Sequence, residues 1–330
     1  MALVLFRFGS QGERSRAKGG SMKPYKTVIY SFFVGGMFAL IAQAILAVWQ
    51  VVLADTPMAF FMGGATLVSM GVIGCILGGL ACYQYVEEWA TFGALLPFSG
   101  FAMAVGMKAV GPWTTKNAKA SKCVIDVVWF VVWFNLLFAA ICIAIGFIFG
   151  MLGVEPLFTV EKTTGAMLFP YAFLIGGVLA ALFQILFVAI KSITSKVTPL
   201  HILMTAWMCG AVFAPLGVSG ALANFSGEGF SVMITVGGYN MYNVGFDLAL
   251  GEIDTALLHL GSFALAVFGL MITALFTWII YNGVFGRKPI HQVHIEKAQA
   301  SIEGLTEHMP PSDNIEGFDY EVDPAEAAQA

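Results

Sequence analysis

The sequence predicts an all-α polytopic membrane protein, with six transmembrane helices plus two re-entrant or broken segments in an inverted-topology repeat. Three observations predict this: apolar residues arrive in long blocks, one unit occurs twice, and the basic residues fall on one side of the resulting topology.

Hydrophobic residues make up 58% of the chain and charged residues 11%, against about 25% charged in an ordinary soluble domain. The stretches 28–53, 124–152 and 257–284 are each longer than the roughly 20 residues a helix needs to cross a hydrocarbon core of about 30 Å. Five cysteines, none in C-x-x-C spacing, read as free thiols used as small apolar side chains. Residues 1–8 are too short for the apolar core of a signal peptide, and the basic residues follow them; Met22 is an alternative start.

Tyr30-Ser-Phe-Phe-Val-Gly-Gly36 returns as Tyr171-Ala-Phe-Leu-Ile-Gly-Gly177, an offset of 141, and the match continues through Ala39 with Ala180 and Gln43 with Gln184. Further on, Pro57 and Pro199 each open an apolar segment, and a glycine-rich interrupted stretch follows in each half. The first holds Pro97, Ser99 and Gly100; the second holds Gly237, Gly238 and Asn240. Proline and paired glycines disfavour an unbroken helix, so both stretches are expected to break at these residues. Each half closes with a long span entered through Ile-Asp, at Asp126 and Asp254, both expected to be N-caps.

If the broken stretches dip in and return, the chain crosses six times; if they cross fully, it crosses eight times. Counting cationic residues decides. Six crossings put 15 of the 16 Lys and Arg on the cytoplasmic side, leaving Lys162 outside; eight crossings move the lysines of 108–122 and 191–197 outside as well. Three crossings per repeat invert the second copy, and such repeats place a solute path near the midplane where the copies meet. The expected organisation is a cytoplasmic basic N-terminal segment at 1–27, a first membrane repeat at 28–153, a second at 165–285, and a cytoplasmic acidic tail at 286–330. Residues 289–330 hold nine acidic residues and one lysine, a composition that reads as disordered.

Gln43 and Gln184 share helix faces with Gly36 and Gly177. They either hydrogen-bond between closely packed helices or line the path. Backbone N–H groups near Pro97, Ser99, Gly100, Gly237, Gly238 and Asn240 could receive an anion such as a carboxylate, or the hairpins could simply pack. Glu87, Glu88 and Asp247 lie beside the broken stretches and read as wetted helix ends or as a gate attracting cations. Glu228 is assigned to an outer loop. His201 and His259 lack paired ligand spacing and read as satisfied bundle histidines, with proton coupling the alternative. No phosphate loop, nucleophile elbow, zinc-protease motif or basic nucleic-acid surface occurs. The chain is therefore read as a non-enzyme without cofactor, catalytic residue, metal site or nucleic-acid partner.

Tyr85, Gly93-Ala94 and Pro97-Phe-Ser-Gly100-Phe-Ala102, with the opening Tyr30 to Gly36 run and Gln43, resemble the stage V sporulation protein A (SpoVA) membrane family in its AC and AE branches. The chain looks like two such units fused. The resemblance implies a sporulation membrane protein of the bacterial cytoplasmic membrane that moves dipicolinic acid, with calcium, across the bilayer. It also implies other subunits of the same family, or a second copy, as partners. The function expected is a channel or transporter subunit for a small organic anion; the alternative is a non-transporting assembly or scaffold subunit.

Overall fold

The computed structural model describes residues 24–80, 82–114, 119–286 and 288. The basic segment before Pro24 and the acidic tail lie outside the described residues. The first repeat is built from α1 (Pro24–Leu53), α2 (Met62–Gly79), the short helices α3 (Gln84–Ala90) and α4 (Phe92–Leu95), then α5 (Phe98–Val110) and α6 (Ala120–Met151). The second repeats that order: α7 (Leu168–Ile193), α8 (Pro199–Val212), the short α9 (Val218–Ser226) and α10 (Glu228–Ser231), then α11 (Thr235–Leu250) and α12 (Ile253–Phe285).

Among the described residues, five helices are long and apolar enough to cross a membrane: α1, α2 with its leading turn, α6, α7 with its leading turn, and α12. The sixth expected span, α8, has 14 residues, about 21 Å at 1.5 Å per residue. Pro215 and the left-handed Gly217 (φ 81°) turn the chain back just behind it. The cysteines are all free. Asp126 does not cap its span: α6 begins after Lys119, about two turns earlier. Asp254 lies in the first turn of α12, two residues after the cap residue Glu252, which makes no side-chain cap bond. His201 joins Thr198 in a capping box that starts α8, its Nδ1 2.7 Å from the threonine Oγ1.

Side-chain neighbours fix the helix directions. Thr27, near the start of α1, meets Gln184, late in α7, and Gly35 and Gly176 pack at the crossing between them. The two helices that open the repeats are therefore antiparallel. Along α2 and α5, Gly71 meets Phe98, Gly74 meets Ser99, Gly78 meets Met103 and Gly79 meets Val110. Those helices run parallel, so α5 leaves the bundle at the end where α2 finishes. The chain thus enters through α3 and α4, turns at mid-depth and returns through α5. In the second repeat α11 runs parallel to α6, with Gly146 against Tyr242 and Gly150 against Ala249, and it leaves at the opposite end. The described bundle is an inverted repeat with one re-entrant hairpin entering from each end.

Glycine makes these crossings possible. A Cβ on Gly35 would collide with Ala180, and one on the equivalent Gly176 would collide with Ala39. Lipid supplies no hydrophobic drive between helices, so close backbone approach through small residues takes its place.

Candidate functional site at the junction of the two hairpins

The tips of the two hairpins meet. Pro97 and Met233 form an isolated antiparallel bridge. Phe98 N–H donates to the Val232 carbonyl at 2.8 Å, and Ile234 N–H donates to the Leu96 carbonyl at 3.0 Å. Both breaks would leave backbone groups without helical partners at membrane depth, where an unpaired group is costly. Pairing one break with the other satisfies them.

This overturns one sequence expectation. The second break falls at Val232–Ile234, not at the glycine pair: Gly237 and Gly238 lie in the first turns of α11. Their lack of side chains serves close packing instead, since a Cβ on either would strike Trp207 of α8. Two of the N–H groups expected to receive an anion are already bonded within the breaks. Gly100 N–H donates to the Pro97 carbonyl, Gly237 N–H donates to the Ile234 carbonyl, and Ser99 and Gly100 are buried.

Within the hairpins the two copies correspond at an offset of 136, which pairs Pro97 with Met233, Ser99 with Thr235 and Phe92 with Glu228. Both hairpins kink at the same place, Thr91 (φ 37°) in one and Gly227 (φ 51°) in the other. Thr91 is the only non-glycine with positive φ among the described residues, a conformation costly for a β-branched residue.

The two glutamines act across the repeats. Gln184 Oε1 accepts the Phe92 N–H at 3.3 Å, while its Nε2 donates to Thr27 Oγ1 at 3.1 Å. Gln43 Oε1 accepts the Glu228 N–H at 3.2 Å. Each copy thus caps the short helix of the other, and the geometry takes the packing alternative over the path-lining one. Leucine at Gln43 or Gln184 leaves a buried N–H unpaired, so each substitution should destabilise the protein by about 1–3 kcal/mol. Thermal unfolding in detergent measures this; a loss of solute release with unchanged stability would restore the path-lining role.

Beside the bridge lies a cavity of about 30 Å³, room for about two waters. Both copies line it, with Phe98 and Asn135 from the first and Trp207, Gly237, Asn240 and Ser262 from the second. From Asn240, the α11 face continues through Asn243 to Asp247, whose Oδ2 lies 3.8 Å from His259 Nε2 near the end where α11 leaves. The His259 ring stands edge-on to Phe60. A half-buried polar stripe therefore leads from the cavity to that end. Among the described residues no group of three or more His, Cys, Asp or Glu side chains could hold a metal.

The structure thus gathers Pro97, Gly237 and Asn240 around one junction, with Asp247 two turns further along α11. Gln43 and Gln184 brace it from outside the cavity. Glu87 and Glu88 lie on α3, half-buried and exposed, and neither lines the cavity. The sequence reading missed Asn135, Trp207, Ser262 and Met233, and it put Glu228 in a loop although that residue is 2% exposed within the bundle. The 136-residue offset, which differs from the 141 of the opening helices, was the signal available for Met233 and Glu228.

The family model for SpoVAC/SpoVAEB sporulation membrane proteins matches the chain twice, over residues 27–153 and 169–280. No curated protein and no solved structure gives a significant match.

Proposed function

Since the chain belongs to the SpoVAC/SpoVAEB sporulation membrane protein family, as a tandem duplication, we propose that it is a gated pathway for a small organic anion, with the hairpin junction as its gate. The observation that carries this reading is the tip-to-tip bridge between Pro97 and Met233 at mid-depth. Non-helical backbone at membrane depth is kept where protein buries it or where it lines a cavity, and here it does both. Two backbone hydrogen bonds hold the tips together, so their parting is a small local change.

Dipicolinate is the solute the family resemblance suggests, with calcium travelling as cargo bound through carboxylate oxygens. A cavity of about 30 Å³ is far below the 300–1,000 Å³ of ordinary ligand sites, so the structure is read as the closed state. That closure is also what favours the second reading, a non-transporting assembly subunit that docks other family subunits or a second copy. Purified protein in liposomes should release trapped dipicolinate. Absence of release under any gradient, with stable co-purification of other membrane proteins, supports the assembly reading instead.

We place the protein in the bacterial cytoplasmic membrane with both termini in the cytoplasm, on the strength of the lysine distribution. A single cysteine placed between residues 108 and 122 should react with an impermeant thiol reagent only from the cytoplasmic side. Labelling from outside reverses the orientation.

A further inference from the structure

The two copies serve as controls for each other. In the first hairpin, position 92 is phenylalanine, fully buried with its ring 5.3 Å from Phe187. In the second, the equivalent residue is Glu228, 2% exposed, with Oε2 lacking a hydrogen-bond partner. The fold therefore closes around an apolar side chain at this place, and a carboxyl group there answers to something besides packing.

Among the described residues, no cation meets Glu228. From α1 comes Gln43, whose Oε1 is taken by the Glu228 N–H. From α7 come Ala172, packed on Gly229, and Tyr171, stacked on Phe225. α9 has no titratable residue, and α11 brings Tyr239, edge-on to Phe230. Among the described residues, neither an ion pair nor a metal-holding group includes Glu228. A calcium ion would need six or more oxygens. An ionised carboxylate buried without a partner is too costly to persist.

We propose that Glu228 is a proton-binding site in the bundle interior, and that its proton holds the second hairpin in closed packing against α1 and α7. When the hairpin parts from them, water reaches the carboxyl. The O–H bond breaks, the proton passes to water, and the carboxylate left behind opposes return. The closed state binds the proton more tightly than the open state, so raising pH favours opening. Only the coupling to opening rests on the gated-pathway reading.

The test uses the full chain, as wild type, E228Q and E228F, the last copying the residue of the other repeat. Infrared difference spectra should show a buried protonated carboxylic acid in the wild type that is missing from both variants. Release of trapped dipicolinate from liposomes should rise with pH in the wild type, by up to about tenfold per pH unit for a single proton, and should stay flat in E228Q. An identical carboxylic-acid band in wild type and E228Q overturns the proposal, as does E228Q keeping the wild-type pH slope. If the band is present but the wild type releases nothing at any pH, the proton site stands and the pathway reading falls.

Discussion

Leucine at Gly35 or at Gly176 is expected to keep the folded protein from accumulating, whereas leucine at Gly63 should leave it unchanged. The two damaging positions are equivalents in the repeat, and each is the point where one opening helix touches the other. At Gly35 the added side chain would meet Ala180, with the Gly176 carbonyl 3.1 Å from the new Cβ; at Gly176 it would meet Ala39, with the Gly35 carbonyl 3.2 Å away. The obstacles are backbone and methyl groups, which cannot swing aside as the end of a long side chain can. The helices must separate, and separation also pulls Gln43 and Gln184 off the hairpins they cap. Overpacking alone costs about 1–3 kcal/mol and occasionally more, and loss of the caps adds to it. Gly63 is exposed, and a Cβ added there would have nothing within 4 Å, so its change should fall within about 0.5 kcal/mol. Fluorescence-detected size-exclusion in detergent reads all three. Similar behaviour at Gly63 and Gly35 would remove the helix crossing from its central place in the fold.

Much of this architecture was legible because it rests on repeated spacing. The Tyr-to-Gly-Gly run and its glutamine marked the opening helices, and the crossing of α1 and α7 uses those same residues. Six crossings followed from charge, and the parallel course of α2 and α5 arrives at the same hairpin by geometry. Legibility failed where one residue type serves two purposes. A glycine pair can end a helix or let another helix approach, and Gly237 and Gly238 do the second against Trp207. The break they were expected to make is set at Met233, by pairing with a partner 136 residues away, which no local pattern reveals. The six-crossing topology put Glu228 in an outer loop, yet Gly227 and Gly229 are the close approaches that bury it. The short α8 was hidden in the same way: its apolar run is continuous with the turn that follows.

The central claim is that solute passes where the two hairpin tips meet, and a reversible lock on that junction tests it most directly. Pro97 and Met233 sit opposite each other in the bridge, between the two hydrogen bonds. In such a pair the Cα atoms are about 4.5 Å apart, within the roughly 4.4–6.8 Å that a disulfide spans. The double variant P97C/M233C, reconstituted in liposomes loaded with dipicolinate, should release it when reduced and should fall to the leak of protein-free vesicles when oxidised. Release should return on reduction, and each single variant should ignore the oxidant. Undiminished release from protein shown by mass spectrometry to carry the 97–233 disulfide would contradict the account.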